Sequence, residues 1–334
     1  MKRKTDRQLD LFAPAAAAPG PAPDAVRRER EVLERLAAKL PPHVRFGTSS
    51  WTFPGWAGVV YNERYRSDAD FKRRSLAEYA RHPLFRTAGI DRTYYAPISE
   101  PDLALYASQL PESFPCVSKV WSELTTMVFP SHVRLGERAG KANPSFLDRE
   151  RFIETFATPY RRAFAAHAGP FVLEIPRTPG APDTRVFEAA LERFLSGAPG
   201  DLRYAVELRD RRLLRPRYLE ILRAYGATHV FNYWSHMPTL AEQLAVAGAM
   251  PGPFVVVRLL LPPGTRYETQ REAFAPFDRI QAPDQPMRDD VLRLVREAGD
   301  RGYEIFVLVN NKAEGSAPLT VRALAEALAG SGNV

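Results

Sequence analysis

Short apolar runs alternate with amphipathic segments along most of the chain, starting at residue 44. Runs rich in β-branched and aromatic residues predict eight strands, at 44–50, 87–95, 115–120, 170–176, 203–209, 227–232, 253–261 and 303–310. Apolar residues at helical spacing predict eight helices, at 72–82, 100–110, 148–167, 184–195, 215–225, 239–247, 287–301 and 317–329. This alternation is typical of a parallel sheet covered by helices.

Eight strands, each followed by a helix, predict a (β/α)8 TIM barrel over residues 44–330. An open, doubly wound sheet is the alternative, but no G-x-G-x-x-G motif follows the first strand. Two long connections, 121–147 and 262–285, follow strands three and seven. In a barrel both would lie at the carboxyl-terminal face of the strands, where barrel enzymes hold their sites.

The first 43 residues have a different pattern. Residues 1–24 include an Ala- and Pro-rich tract that buries little apolar surface, which predicts a disordered tail. Residues 25–43 predict a short amphipathic helix and a linker, because apolar residues from Val26 to Leu40 recur at helical spacing.

The composition of the 334-residue chain is that of a globular protein, with 45% hydrophobic and 25% charged residues. It excludes collagen-like, wholly disordered and disulfide-scaffold classes. A single cysteine, Cys116, excludes an intrachain disulfide and a Cys-based zinc ribbon, and we expect it in the core. The sequence shows neither an apolar run long enough for a membrane span nor a signal-peptide core, so we expect a cytoplasmic protein without a membrane partner.

The net charge of +7 suggests an anionic partner, such as nucleic acid or a phosphorylated substrate. A coding bias explains the charge equally well. Only seven of the 46 basic residues are lysines, at positions 2, 4, 39, 72, 119, 141 and 312, and the chain is also rich in Ala and Pro. Both interpretations stay open on charge alone.

Polar residues stand at the carboxyl ends of several predicted strands. Glu174 and Glu207 end the neighbouring strands four and five, and two nearby carboxylates can act as general acid and general base. Lys119, which ends strand three, would hold a carboxylate ionised, bind an anion or form a Schiff base. These three are the candidate catalytic residues. The alternative is an ion-pair network that only closes the top of the barrel.

Other residues at the same rim are candidates for substrate binding. Arginines suit a carboxylate or phosphate group, and aromatic rings suit a sugar or a base. The candidates are Ser49, Trp51, Trp56, Tyr94, Tyr95, Arg209, Arg258, Asn310 and Asn311. The alternative for the aromatic residues is that they anchor loops.

No cofactor is predicted. The six histidines form neither an H-x-H nor an H-E-x-x-H pattern, and no G-x-S-x-G motif indicates a nucleophilic serine. The alternative is a divalent metal held by His236 together with Glu174 and Glu207.

The segment Gly47–Tyr61 resembles the opening motif of the YecE-like family, domain of unknown function 72, with Phe53 in place of a tyrosine. Further similar segments are Thr93-Tyr94-Tyr95, Pro111 to Lys119, Val206 to Arg209 and Asn310 to Ala317. The resemblance implies a TIM barrel with polar residues gathered at one end, and it implies no particular reaction. The chain departs from the family pattern in three ways: it lacks the histidine after Arg258 and the tryptophan after Arg209, and it has Glu174 where glutamine is expected.

Residues Gln8-Leu9-Asp10-Leu11-Phe12 resemble the peptide by which bacterial DNA polymerases and repair proteins bind the sliding clamp. Leu11 and Phe12 would fill an apolar pocket of that partner, Leu9 would add contact, and Gln8 would hydrogen-bond. The alternatives are a chance match and packing on the protein's own surface.

Two functions fit the sequence. The first is a metal-independent hydrolase or lyase that acts by acid–base chemistry on a nucleotide, a DNA end or a sugar phosphate, with the tail peptide recruiting it to the clamp in DNA repair. The second is a non-catalytic basic barrel that binds nucleic acid in replication or repair.

Overall fold

Eight parallel strands form a nearly closed barrel in the computed structural model, which describes residues 23–131 and 133–331. The strands are β1 Val44–Thr48, β2 Ala88–Ile90, β3 Cys116–Lys119, β4 Ala168–Ile175, β5 Tyr204–Leu208, β6 Thr228–Tyr233, β7 Phe254–Leu259 and β8 Glu304–Val309. Their order around the barrel is β1-β8-β7-β6-β5-β4-β3-β2. The TIM-barrel prediction is confirmed, and the open doubly wound sheet is not formed.

The barrel nearly closes between β1 and β2. The amide of Arg86 donates a hydrogen bond to the carbonyl oxygen of Phe46, at 2.8 Å. Gly47 lies so close to the neighbouring backbone that an added Cβ would be 2.1 Å from the carbonyl oxygen of Thr87. A glycine is therefore required for the two strands to approach at this point.

Helices surround the strands. They are α1 Pro23–Ala37, α2 Asp68–Ala80, α3 Glu100–Ala107, α4 Ser122–Thr125, α5 Arg149–Phe152, α6 Thr158–Ala163, α7 Thr184–Leu195, α8 Pro216–Ala224, α9 Leu240–Leu244, α10 Tyr267–Phe274, α11 Gln285–Asp300 and α12 Ala317–Ser331. The single helix predicted at 148–167 is instead α5 and α6, joined by a π-helical turn at Ile153–Ala157 and followed by a 3-10 turn at Ala165–His167.

Two predicted segments differ from the structure. Strand two, expected over 87–95, ends at Ile90, and Asp91–Tyr94 form a 3-10 turn. The hydroxyl of Thr93 stabilises this turn, because it lies 2.6 Å from the carbonyl oxygens of both Ile90 and Lys119. The connection 262–285 is not irregular throughout, since it contains α10, whose Phe274 is buried.

The interior of the barrel is filled by a layer of apolar side chains. They are Val117, Val172, Ala205, Val230, Phe254, Val256, Phe306 and Leu308. Side chains at i and i+2 in a strand point the same way, so residues two positions further on also point inward. This alternation brings Lys119, Glu174, Glu207, Asn232 and Arg258 to the carboxyl end of the barrel, directly above the apolar layer.

Helix α1 packs on the outside of the barrel beside α12, where Arg322 of α12 forms an ion pair with Glu29. It ends at the amino end of the strands, because Arg86, which precedes β2, donates to the carbonyl oxygen of Ala37 at 3.0 Å. Its first residues share a groove with Gly58–Val60 in the loop that follows β1. Residues 1–22 of the predicted tail, with the peptide Gln8–Phe12, lie outside the described residues, and Pro23 and Asp24 at its predicted end belong to α1. No helix in the part of the chain that the structure describes is long and apolar enough to cross a membrane.

Candidate functional site

Six charged side chains meet at the carboxyl end of the barrel and form what we name the central charge cluster. Its members are Asp91, Lys119, Glu174, Glu207, Arg209 and Arg258. They come from the ends of five strands that are distant in sequence. The strand ends place them together because the carboxyl ends of parallel strands meet at one face of the barrel.

Glu174 lies at the centre of the cations. Its Oε2 atom is 2.5 Å from Lys119 Nζ, 2.7 Å from Arg209 Nη2 and 3.9 Å from Arg258 Nη1. Burial raises the pKa of this carboxyl, but the three cations outweigh burial and hold its pKa below its ordinary value. Glu174 is therefore an anion at neutral pH.

Glu207 is fully buried between two arginines. Its Oε1 lies 2.5 Å from Arg209 Nη2, and its Oε2 lies 2.6 Å from Arg258 Nη1. The other branch of Arg258 reaches Asp91 Oδ2 at 2.7 Å. Burial alone would lower the pKa of Arg258, but Asp91 and the two glutamates raise it. The carboxylates thus fix the directions of both guanidinium groups.

Buried donors and acceptors in and beside this cluster have no hydrogen-bond partner among the described residues. They are Nε of Arg209, Nε of Arg258, Oδ1 of Asn232 and Oε1 of Glu207, which meets Arg209 only as an ion pair. Buried polar atoms are nearly always paired in proteins, so these atoms can take a hydrogen-bond partner from a ligand or water. The indole of Trp234 covers the other side of Arg209, whose guanidinium carbon is 4.1 Å from the ring centroid.

Lys312, which the sequence interpretation did not single out, belongs to the same face. It follows β8, and its Nζ lies 4.4 Å from the centre of the Tyr267 ring of α10. No carboxylate lies within 4 Å of this Nζ among the residues described. The pKa of Lys312 is lowered to about 8: burial is the main cause, Asp91 opposes it, and Arg271 and Lys119 add to it. The available signal was that Lys119 and Lys312 are two of only seven lysines, one at the end of a strand and the other soon after one.

Four of the predicted binding residues are buried in the segments that follow β1 and β8. Trp56 is fully buried, and its indole N–H donates to Asn311 Oδ1 at 3.1 Å. Asn311 also accepts from the amide of Ala317, at 2.9 Å, so it links the β1 loop to the start of α12. Trp51 packs edge-on against Tyr106, and the amide of Ser49 donates to the carbonyl oxygen of Val309, at 2.9 Å. The structure does not bring the Trp56 and Asn311 side chains to the surface of the site.

Three others lie at the rim itself. The ring of Tyr94 is 4.8 Å from Lys119 Nζ, and Tyr95, which is 69% exposed, packs edge-on against Tyr94. Burial raises the pKa of Tyr94, and so does the charge of Glu174. Asn310 is half-buried and accepts a hydrogen bond from the amide of Lys312. The tyrosines therefore border the cluster from the turn after β2, not from the strand.

His236 is exposed in the loop after β6, and its Nδ1 lies 2.7 Å from Ser235 Oγ. Across residues 23–131 and 133–331, no three His, Cys, Asp or Glu side chains are grouped as metal ligands. Glu174 and Glu207 are instead grouped with cations. The hypothetical ligand set of His236, Glu174 and Glu207 is thus not assembled. Cys116 is buried in the wall of the barrel, as expected.

The fold and the cluster together define a TIM-barrel protein with a charged site at the carboxyl end of its strands. The sequence profile of a protein family of unknown function, DUF72, matches residues 45–333, and the chain belongs to this family. The expected YecE-like membership is therefore confirmed.

Two solved structures of the family are similar to this chain. A DUF72 family protein from Thermotoga maritima is 20% identical, with a TM-score of 0.59 over 85% of this chain and 98% of its own. One from Enterococcus faecalis is 17% identical, with a TM-score of 0.58 over 85% of this chain and 95% of its own. No curated protein matches the sequence. At these identities the likeness shows the shared fold alone.

Proposed function

We propose that this chain is an enzyme, a hydrolase or lyase, that acts by acid–base chemistry on an anionic small molecule at the carboxyl end of its barrel. The observation that supports this is the central charge cluster. Burying an ionised group costs on the order of several kcal/mol, and a packed apolar layer would stabilise a barrel at least as well. A cluster of three cations and three carboxylates at this face is better explained by function than by stability.

Within this proposal the two glutamates position cations. Glu174 remains ionised, and both of its close partners are cations, so it suits electrostatic positioning better than proton donation. Glu207 orients Arg209 and Arg258 in the same way. Fixed cations of this kind stabilise negative charge on a substrate without having to reorganise during the reaction.

Lys312 is the group we assign to proton transfer. A pKa of about 8 leaves both the amine and the ammonium populated near neutral pH, as an acid–base catalyst requires. With Lys312 protonated, the site has four cations against three carboxylates, which favours an anionic substrate. Lys119 is near enough to act on the pKa of Lys312, and Tyr94 packs against Lys119.

The test is turnover measured by phosphorus NMR with a panel of nucleoside monophosphates, sugar phosphates and a 5′-phosphorylated oligonucleotide. We expect Arg258→Gln to lower turnover of a reacting panel member at least a hundredfold in folded protein. Arg203→Gln is the matched control, because Arg203 pairs with Glu304 at the opposite end of the barrel, at 2.6 Å. Equal losses in both variants, or turnover that survives Arg258→Gln, contradict the proposal.

We further propose that Gln8–Phe12 recruits the barrel to the sliding clamp. The support is the sequence pattern alone, and the peptide lies outside the described residues. A labelled peptide of residues 1–16 should bind a bacterial clamp, and Leu11→Ala/Phe12→Ala should abolish binding. Equal binding by both peptides contradicts recruitment through this motif.

The second candidate function, a non-catalytic nucleic-acid-binding barrel, has less support. Several exposed arginines on the outer helices are neutralised by carboxylates, as in the pairs Arg74–Asp70, Arg161–Asp201 and Arg217–Glu192. Such pairs add no net charge for binding phosphates. This function predicts DNA affinity that falls steeply between about 50 and 200 mM salt and survives Glu207→Gln.

A further inference from the structure

A second charged feature lies at the same face of the barrel, beside the central charge cluster. It is a cleft of about 440 Å³, which we name the rim cleft, and its wall includes Arg177, Asp210, Arg211, Arg212, Ser235 and His236. This volume lies within the range of small-molecule sites. The cleft is formed by the loops that follow β4, β5 and β6.

The rim cleft adjoins the cluster through the chain itself. Arg177 is three residues beyond Glu174, and Asp210 directly follows Arg209. Ser235 directly follows Trp234, the residue whose indole packs on Arg209. A molecule lying across Trp234 would therefore contact both the cleft and the cluster.

The charges of the rim cleft do not balance. Asp210 is neutralised by Arg212, with Nε to Oδ1 at 2.9 Å and Nη2 to Oδ2 at 2.6 Å. Arg212 also donates to the carbonyl oxygen of Gly180 at 2.8 Å, so its side chain is held in place. Arg177 and Arg211 are both exposed, and neither has a carboxylate within 4 Å in the part of the chain that is described. Three arginines thus line the cleft against one carboxylate of its wall, Asp210. Arg177 also acts on Asp210, and Arg211 on Glu242 of α9, from beyond ion-pair distance.

The remaining polar group of the cleft fits the same ligand. The Nδ1 atom of His236 is engaged by Ser235 Oγ, which leaves Nε2 as the ring's other polar atom. Guanidinium groups bind phosphate and carboxylate oxygens through paired N–H donors, and an imidazole adds another donor. Two arginines and a histidine around one cleft match an oxyanion with several oxygens.

We propose that the rim cleft binds the phosphate group of a substrate whose reacting part lies on the central charge cluster. This inference rests on the proposed function, which it deepens by naming the substrate class. The substrate is a phosphorylated molecule, held at its phosphate by Arg177, Arg211 and His236 and long enough to pass Trp234. The cleft is a binding subsite, and the chemistry takes place at the cluster.

The test is calorimetric titration of the full chain with inorganic pyrophosphate at low ionic strength. We expect Arg177→Gln/Arg211→Gln to weaken affinity at least tenfold. Arg185→Gln/Arg193→Gln is the matched control, because it removes the same charge from exposed positions on α7, and we expect it to weaken affinity less than twofold. Unchanged affinity in the cleft variant, or an equal loss in the control, overturns the inference.

A third variant separates the two proposals. Arg258→Gln removes a cluster cation and should weaken pyrophosphate affinity much less than the cleft variant does, because the probe binds in the cleft. If Arg258→Gln abolishes turnover while the cleft variant retains full pyrophosphate affinity, the proposed function stands and this inference fails. If the cleft variant loses affinity while the panel shows no turnover dependent on Arg258, the subsite stands and the proposed function fails.

Discussion

Arg258 and Glu207 form the most deeply buried ion pair in the described part of the chain, with Nη1 2.6 Å from Oε2 and side chains that are 1% and 0% exposed. The same guanidinium reaches Asp91, on the turn after β2, with its other branch. Arg258 thus joins β5, β7 and the turn after β2 across the mouth of the barrel. This bond holds together parts of the site that the sheet's own hydrogen bonds do not connect.

Removing one partner of this buried ion pair should lower the free energy of unfolding more than removing one partner of an exposed ion pair. Glu207→Gln leaves Arg258 and Arg209 with an uncompensated buried charge, so we expect the free energy of unfolding to fall by about 3–5 kcal/mol. Urea unfolding at pH 7 measures this change. Glu304→Gln is the control, since Glu304 pairs with Arg45 and Arg203 but is 27% exposed. An equal loss in both variants would show that burial of the pair does not matter.

Lowering the pH should remove the contribution of Glu174 to the free energy of unfolding. Its pKa is lowered in the folded protein, so its stabilising effect is complete above the ordinary glutamate pKa of about 4.3 and is lost as the pH falls below that value. The free energy of unfolding of the wild type should therefore approach that of Glu174→Gln between about pH 4.5 and 3. Urea titrations across this range test the prediction. The control Glu192→Gln, at an exposed position, should have nearly the wild-type free energy of unfolding at every pH. A difference between the wild type and Glu174→Gln that does not change with pH contradicts the prediction.

Lys312 should destabilise the fold at neutral pH. Its pKa falls from 10.5 to about 8 on folding, so the folded state binds fewer protons between these values and stability rises with pH across this window. We expect Lys312→Met to raise the free energy of unfolding at pH 7 by at most about 3 kcal/mol, with the gain shrinking towards pH 10. The exposed control Lys39→Met should show no such trend. A gain that is independent of pH would contradict the lowered pKa.

Asn311 should act on stability rather than on ligand affinity. Asn311→Ala leaves the Trp56 indole N–H and the Ala317 amide without their shared acceptor, at a cost of about 2–3 kcal/mol. Thermal unfolding and the KM of a reacting panel member, measured together, check both halves of this statement. The neighbouring Asn310→Ala should cost less stability, because the half-buried Asn310 side chain accepts its hydrogen bond from the amide of Lys312. A raised KM in folded Asn311→Ala would place its side chain in the site.

The barrel could be predicted from the sequence because strand and helix periods alternate regularly from residue 44. The positions of Glu174 and Glu207 followed from the same pattern, since each stands near the end of an apolar run. The prediction made strand two too long, because Thr93, Tyr94 and Tyr95 are residue types that favour strands. The hydroxyl of Thr93 instead bonds to two backbone carbonyls and stabilises a turn, a tertiary contact that a linear pattern does not contain.

The electrostatic character of the site could not be predicted in the same way. The sequence left two interpretations of Glu174 and Glu207 open, an acid–base pair and an ion-pair network, and only the structure shows that cations surround both. Lys312 was missed because its environment depends on Tyr267, which lies on a helix inside a segment expected to be a loop. Which charges neutralise one another depends on which strand ends are neighbours in the barrel. The spacing of residues along the chain does not fully determine those neighbours.

The direction of α1 determines which end of the barrel lies nearest to the segment Gln8–Phe12. The helix ends beside Arg86 at the amino end of the strands, and its first turn borders the loop Gly58–Val60, so the chain enters the barrel from the carboxyl end. Phe12 lies eleven residues before Pro23, a distance of at most about 40 Å in a fully extended chain. A partner bound to Gln8–Phe12 would therefore lie close to the carboxyl end of the barrel, where the central charge cluster is.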